Sequence, residues 1–399
     1  MKRTLLLAAA VAVSLSGCTW LKSLGKKDNV QPPTELVEFA PTTQVDRVWS
    51  EGVGSGAGAS GARLAPGVAD GRLYAAGVDG SIEAIDATTG RTLWHTRLGE
   101  RHGWRFWSRR DNSLRWSGGP TAEGDLVVVG GLDGQVYALS AADGSERWKA
   151  QMSSEIVAAP AIANGIVVVR SNDGRLVGLD AADGSRKWIF DQSVPALSLR
   201  SNSAPLIANG VVYDGYDNGR VVAVRLDDGN ELWSQTLSGG EGRTEVERLA
   251  DVDGNIVSDG QALYAAGYRG QLAAIALDSG RPVWQRDLSS YTGTAVSGNT
   301  LVAIDADGNV WAFDRETGVN LWKQDQLKYR WLTAPAIQGK YVVVGDIEGY
   351  VHWLSLDEGK FAARERLSRK PIEGAPLVVG DLVYVEDVKG HIGAYRARQ

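Results

Sequence analysis

Asp133-Gly-Gln-Val-Tyr-Ala-Leu139 is followed nine residues later by Trp148, and Asp173-Gly-Arg-Leu-Val-Gly-Leu179 is followed at the same distance by Trp188. Each stretch reads as a turn, a short strand, a second turn and a strand that ends the unit on its Trp. The cadence returns eight times, with turn glycines at Gly80, Gly134, Gly174, Gly219, Gly270, Gly308, Gly349 and Gly390. In the first six copies a Trp stands fourteen positions on: Trp94, Trp148, Trp188, Trp233, Trp284 and Trp322. A period of roughly 40 residues with about four short strands per unit is the signature of a β-propeller. The expected fold is all-β, an eight-bladed propeller of four-stranded antiparallel blades.

Blade four shows the unit strand by strand. Residues 204–208 form strand A, Asn209-Gly210 signals a tight turn, and 211–216 form strand B, rich in β-branched and aromatic residues. Asn218-Gly219 turns into strand C over 220–226, and Asp228-Gly229 into strand D over 230–235, which carries Trp233. The last repeat stops after its strand C, His391-Ile-Gly-Ala-Tyr395. Gln44-Val-Asp-Arg-Val-Trp49, which has a Trp and no blade of its own, supplies the missing strand and closes the ring without a long free edge. In the seventh repeat the Trp position is Ala363, and Phe361 is the candidate replacement. One Trp per blade buries a large apolar area and uses one indole N–H, so these residues read as glue between blades.

The N-terminus reads as an export signal: Lys2 and Arg3, an apolar run over 5–13, then Leu15-Ser-Gly-Cys18. The run is too short for a permanent membrane span. Its end resembles a bacterial lipobox, in which Cys18 becomes the lipidated first residue of the mature chain. The expected organisation is a signal peptide over 1–17, a lipidated tether over 18–43 and the propeller over 44–399. Cys18 is the sole cysteine, so no intrachain disulfide can form. Removing Lys2 and Arg3 takes the formal net charge from −6 to −8, which leaves no global basic field for nucleic acid.

Ala84-Ile-Asp86 with Gly90 and Trp94 resembles the tryptophan-docking repeat of quinoprotein dehydrogenases. Such an enzyme implies a Ca²⁺ site, a catalytic Asp and, in many members, a vicinal disulfide. A disulfide is impossible here, and the aspartates mostly belong to turns. His95, His102, His352 and His391 are scattered without metal-ligand spacing. Gly56-Ala-Gly58-Ala-Ser-Gly61 fits a dinucleotide fingerprint in spacing only, because it lies between strands where that fold needs a helix. No catalytic residue, metal or cofactor is expected.

Partner specificity in a propeller belongs on connectors that leave the repeat pattern. Three stand out. Residues 101–116 carry Trp104, Phe106, Trp107 and Trp116 with five arginines; 191–203 carry Leu197, Leu199 and Arg200; 239–255 carry Asp251 and Asp253. The last two follow adjacent blades, bringing two leucines and an arginine beside two aspartates. That arrangement suits a protein contact with apolar anchors and complementary charge. It equally suits a self-packed rim in which Arg200 pairs with Asp251 or Asp253.

The lipobox, Trp49-Ser-Glu-Gly-Val-Gly-Ser-Gly56, Pro195-Ala-Leu-Ser-Leu-Arg200, Arg248-Leu-Ala-Asp-Val-Asp253 and Val344-Gly-Asp-Ile-Glu-Gly-Tyr-Val-His-Trp353 together resemble the BamB family. These are the lipoprotein propellers of the outer-membrane β-barrel assembly machinery, the Bam complex. The resemblance runs from the signal to the C-terminus. It implies a non-enzymatic, monomeric scaffold that binds the POTRA domains of BamA, with unfolded outer-membrane proteins as further contacts. It also implies a lipid anchor on the periplasmic side of the outer membrane and partner-binding roles for Leu197, Leu199, Arg200, Asp251 and Asp253. Two other classes stay open: a periplasmic quinoprotein (PQQ) oxidoreductase and a glycan-binding propeller using the aromatics of 101–116.

Overall fold

The computed structural model describes residues 31–58, 60–98, 115–193, 195, 203–237, 239, 250–252 and 254–398. They form eight four-stranded antiparallel sheets. Blade four comprises Leu206–Ala208, Val211–Gly215, Arg220–Arg225 and Glu231–Thr236, within two residues of the limits read from sequence. Its Asn209-Gly210 turn has φ of 52° and 74°, the pair of positive values that a tight hairpin needs and that Asn-Gly tolerates. In blade two, strand B (Leu126–Gly131) is buried throughout because neighbouring blades cover both sheet faces. Strand D faces solvent along its edge: Glu146–Gln151 is exposed or half-buried except at Trp148. Arg147 and Lys149 there blunt an otherwise free strand edge.

Blade eight is Leu377–Val379, Leu382–Glu386, His391–Ala397 and, from the other end of the chain, Val45–Gly52. The closing pair runs from Val45 opposite Ala397 to Gly52 opposite His391, with a bulge between Arg47 and Trp49. Below it the termini tie off, Arg398 N–H donating to Gln44 O (2.9 Å) and Thr43 Oγ1 to Arg398 O (2.7 Å).

Each repeat Trp docks on the next blade around the ring. The indole N–H of Trp94 reaches Ala141 O (3.0 Å), that of Trp148 reaches Ala181 O (2.9 Å), and that of Trp322 reaches Leu356 O (2.8 Å). Trp49 does the same to Ala87 O (3.0 Å), joining blade eight to blade one. The ring lies flat on the turn glycine of the receiving blade, and a Cβ on Gly144 would stand 2.6 Å from Trp94. Within its own blade each Trp faces a small residue on strand C, as Ala84 faces Trp94 and Ala312 faces Trp322.

Blade seven inverts this pair: Trp353 is on strand C and Ala363 on strand D. The reason lies in the ring closure. Strands C and D of blade eight come from opposite chain ends, so no glycine turn exists there to receive a Trp from blade seven. Trp353 fills the space instead, fully buried, edge-on to Tyr395 (5.6 Å) and bonded to Gln338 Oε1 (2.8 Å). Phe361, the expected replacement, packs on the other side against Phe39 (5.1 Å).

Residues 34–43, part of the stretch expected as tether, pack with the propeller. Thr34–Gln399 form one compact unit, while Met1–Pro33, of which residues 31–33 are described and exposed, form another. Leu36, Val37 and Phe39 give the reason, for they pack on the core between blades six and seven.

Candidate partner-binding site

Of Leu197, Leu199, Arg200, Asp251 and Asp253, the described residues include Asp251 alone. The other four lie outside them, as do Cys18, Trp104 and Trp107. The ends of both connectors are described, and they meet the same turn of blade four. Asn218 Nδ2 donates to Ser193 O (3.4 Å) from the first connector, and Val252 N–H of the second donates to Tyr216 O (3.2 Å).

Asp251 is fully buried, whereas a direct partner contact needs an exposed side chain. The peptide around it threads between the turns of blades four and five. Its carbonyl accepts from Tyr268 N–H (2.6 Å), forming an antiparallel bridge. Val252 drops into the core with Tyr213, Trp233 and Ile256. Gly215 permits that close pass, since a Cβ there would stand 2.4 Å from Val252 O. Asp251 therefore belongs to the packing between the turns of blades four and five.

A charged cluster that the repeat pattern does not signal lies beside the same turn of blade four. Arg170, at the end of strand B in blade three, reaches Asp214 (2.9 Å) and Asp217 (3.6 Å), and its guanidinium lies 3.8 Å from the centre of the Tyr216 ring. All four residues are buried. Burial outweighs the pull of Arg170 and pushes the Asp214 carboxyl up to about 6; it raises the Tyr216 hydroxyl as well. Breaking such a pair by removing one partner leaves an uncompensated buried charge. A signal was present, because Arg170 and Asp214 interrupt strands that are otherwise apolar.

At the mouth of the central channel a cavity of about 340 Å³ is lined by residues from every blade, among them Arg63, Asn255, Tyr291, Trp331 and Glu373. Arg63 Nη1 donates to Tyr291 O (3.3 Å), and burial raises the Glu373 carboxyl against the opposing effect of Arg63. One carboxylate beside a guanidinium and an amide is a poor donor set for calcium, which takes six to eight oxygens. Among the described residues no cluster of three or more His, Cys, Asp or Glu could hold a metal ion. The described residues at this mouth therefore do not fit a calcium-assisted quinone. Trp116, one of the aromatics in the Arg- and Trp-rich connector, is fully buried against Tyr137 in blade two and offers nothing to a glycan.

A family model described as outer membrane protein assembly factor BamB matches residues 46–101, 79–324 and 320–399. The outer membrane protein assembly factor BamB of Xanthomonas campestris pv. campestris is 43% identical, the match covering 100% of this chain and 98% of that protein. Its counterpart in Escherichia coli is 36% identical over 98% of both. Among solved structures, BamB from Moraxella catarrhalis superposes with a TM-score of 0.78 at 27% identity, covering 88% of this chain and 100% of that one. A quinohemoprotein alcohol dehydrogenase from Comamonas testosteroni gives 0.67 at 15% identity, covering 88% of this chain and 76% of that one, a likeness of fold alone.

Proposed function

This chain belongs to the BamB family of outer membrane protein assembly factors, and we propose from that premise that it is a non-enzymatic scaffold subunit of the Bam complex. Its partner is BamA, bound through POTRA domains, and its role is to assist the folding and insertion of β-barrel proteins into the outer membrane. The observation that carries this reading is the full-length match to proteins of that name, ring and connectors included. Poor calcium ligation at the channel mouth favours the scaffold over a quinoprotein enzyme.

The binding surface is formed by the connectors over 191–203 and 239–255, with Leu197, Leu199, Arg200 and Asp253 as contact residues and Asp251 as their support. Convergence of both connectors on the turn of blade four supports this assignment. Each leucine buried on binding contributes about 1.5–3 kcal/mol. Lipidation at Cys18 holds the protein on the periplasmic side of the outer membrane, as two or more acyl chains give an anchor that one cannot.

Combining Leu197→Ala with Leu199→Ala should weaken binding to a POTRA fragment more than tenfold while the melting temperature stays near wild type. Lost binding together with unfolding would favour the self-packed rim. Undiminished binding would take these connectors out of the mechanism.

A further inference from the structure

Residues 34–43 do not leave the ring where strand D of blade eight begins. They run back along blade seven to the connector between blades six and seven. Thr42 and Thr43 N–H both donate to Ala362 O (2.9 and 3.4 Å), and Phe39 stacks on Phe361. Thr34 donates to Lys328 O through its N–H (3.1 Å) and its hydroxyl (2.7 Å).

Two arginines hold the backbone of this segment. Arg330 Nη1 donates to Thr34 O (2.7 Å), and Arg364 Nη1 donates to Val37 O (3.0 Å) with its guanidinium over the rings of Phe39 and Phe361 (5.0 and 5.1 Å). A buried relay joins the two. Arg330 Nε donates to Asp346 Oδ2 (2.8 Å), His352 Nε2 lies 3.0 Å from the same oxygen, and Arg364 Nε donates to His352 Nδ1 (3.2 Å).

That last bond fixes the histidine. Arginine can only donate, so His352 Nδ1 must be the acceptor and carry no proton, and Nε2–H then points at Asp346. A second proton would have to sit on Nδ1, where it faces the Arg364 donor and sets cation against cation. The charged or titratable groups around the ring are Asp346 and Glu348 from the turn, Arg330 from the connector, Arg364 from strand D and Tyr350 from its own strand. From the segment come Phe39 and the Val37 carbonyl, with Glu35 and Glu38 on its exposed side. His352 has no exposed surface, and that burial holds its pKa below the ordinary 6.5, so it is neutral at pH 7.

We propose that residues 34–43 are a releasable strap, locked while His352 Nδ1 accepts from Arg364 and freed when that nitrogen is protonated. With the strap on, Thr34 is held beside blades six and seven; with it off, the first held residues are those of the outer strand of blade eight. Release frees ten residues, adding up to about 33–36 Å of extended reach. The consequence for a membrane tether rests on the lipid-anchor reading, whereas the lock itself does not.

Hydrogen exchange of the full chain at pH 7.5 and at one pH unit below the His352 ring titration located by NMR, corrected for the intrinsic rate, tests the lock. Amide protection at Thr34, Thr42 and Thr43 should fall at least tenfold on acidification while strands B and C of blade seven keep theirs. His352→Gln, which can accept from Arg364 but cannot take up the proton, should keep the strap protected at both values. Equal wild-type protection at the two pH values, or acid release surviving in a folded His352→Gln, overturns the proposal. Should that variant misfold, the wild type still decides: the release midpoint must coincide with the ring titration of His352 followed by NMR, and a mismatch overturns it.

Discussion

Glu386 ends strand B of blade eight with both carboxyl oxygens buried and without a hydrogen-bond partner among the described residues. Burial, aided by neighbouring Asp387, raises its pKa well above the ordinary 4.5, so the folded protein keeps the proton that the unfolded chain releases. A carboxyl raised in this way contributes stability below pH 4.5 that is lost as pH climbs toward the folded value. Over that window the slope approaches about −1.4 kcal/mol per pH unit. Glu386→Gln should therefore be more stable than wild type at pH 8 and differ little at pH 4, as thermal melts at the two values will read. A parent and variant with the same difference at both would mean the carboxyl is ionised in the fold. Trp49 makes the opposite case, a residue whose loss should hurt at any pH. It is buried against Tyr384 and bonded to Ala87, so Trp49→Ala should cost about 3–5 kcal/mol in denaturant unfolding.

At the scale of elements, the repeat was legible because its punctuation is local: Asn209-Gly210 and Asp228-Gly229 fix turns regardless of what surrounds them. The closing strand was legible for a bookkeeping reason, since Trp49 had no blade and blade eight had no strand D. Trp353 was less so. Its exchange with Ala363 follows from a missing turn in the neighbouring blade, which no window of the sequence around 353 contains. Residues 34–43 look like tether because Leu36, Val37 and Phe39 show no strand period; their order comes from packing on the core between blades six and seven and from Arg330 and Arg364, about three hundred positions away. Deleting 44–50 should expose blade eight and destabilise more than Trp49→Ala does. Deleting 34–43 should lower stability by less and leave the ring closed, since it strips Phe361 and two arginines of contacts but breaks no sheet. Chemical denaturation of both truncations will rank them, and equal midpoints would contradict the assigned roles.

At the scale of the whole molecule, the ring sets the positions of its connectors and leaves their sequences free. Leu197, Leu199, Arg200 and Asp253 were singled out from motif and family likeness, and packing played no part in that choice. Asp251 shows what such reading cannot see: a carboxylate in a polar run looks exposed, yet its peptide is drawn inward by Val252 and the bridge to Tyr268. The Arg170, Asp214, Asp217 and Tyr216 cluster beneath was overlooked for the converse reason, as its members belong to two blades and meet only in the fold. In the proposed function this propeller is an adaptor whose connector face would meet the periplasmic part of an outer-membrane barrel. The most direct measurement is affinity purification of the membrane-anchored full-length protein, with quantitative mass spectrometry of what elutes beside it. The account predicts a BamA-like barrel protein in near-stoichiometric amount, lost when Leu197 and Leu199 are both alanine. Elution without such a barrel, from membranes that contain one, would contradict it.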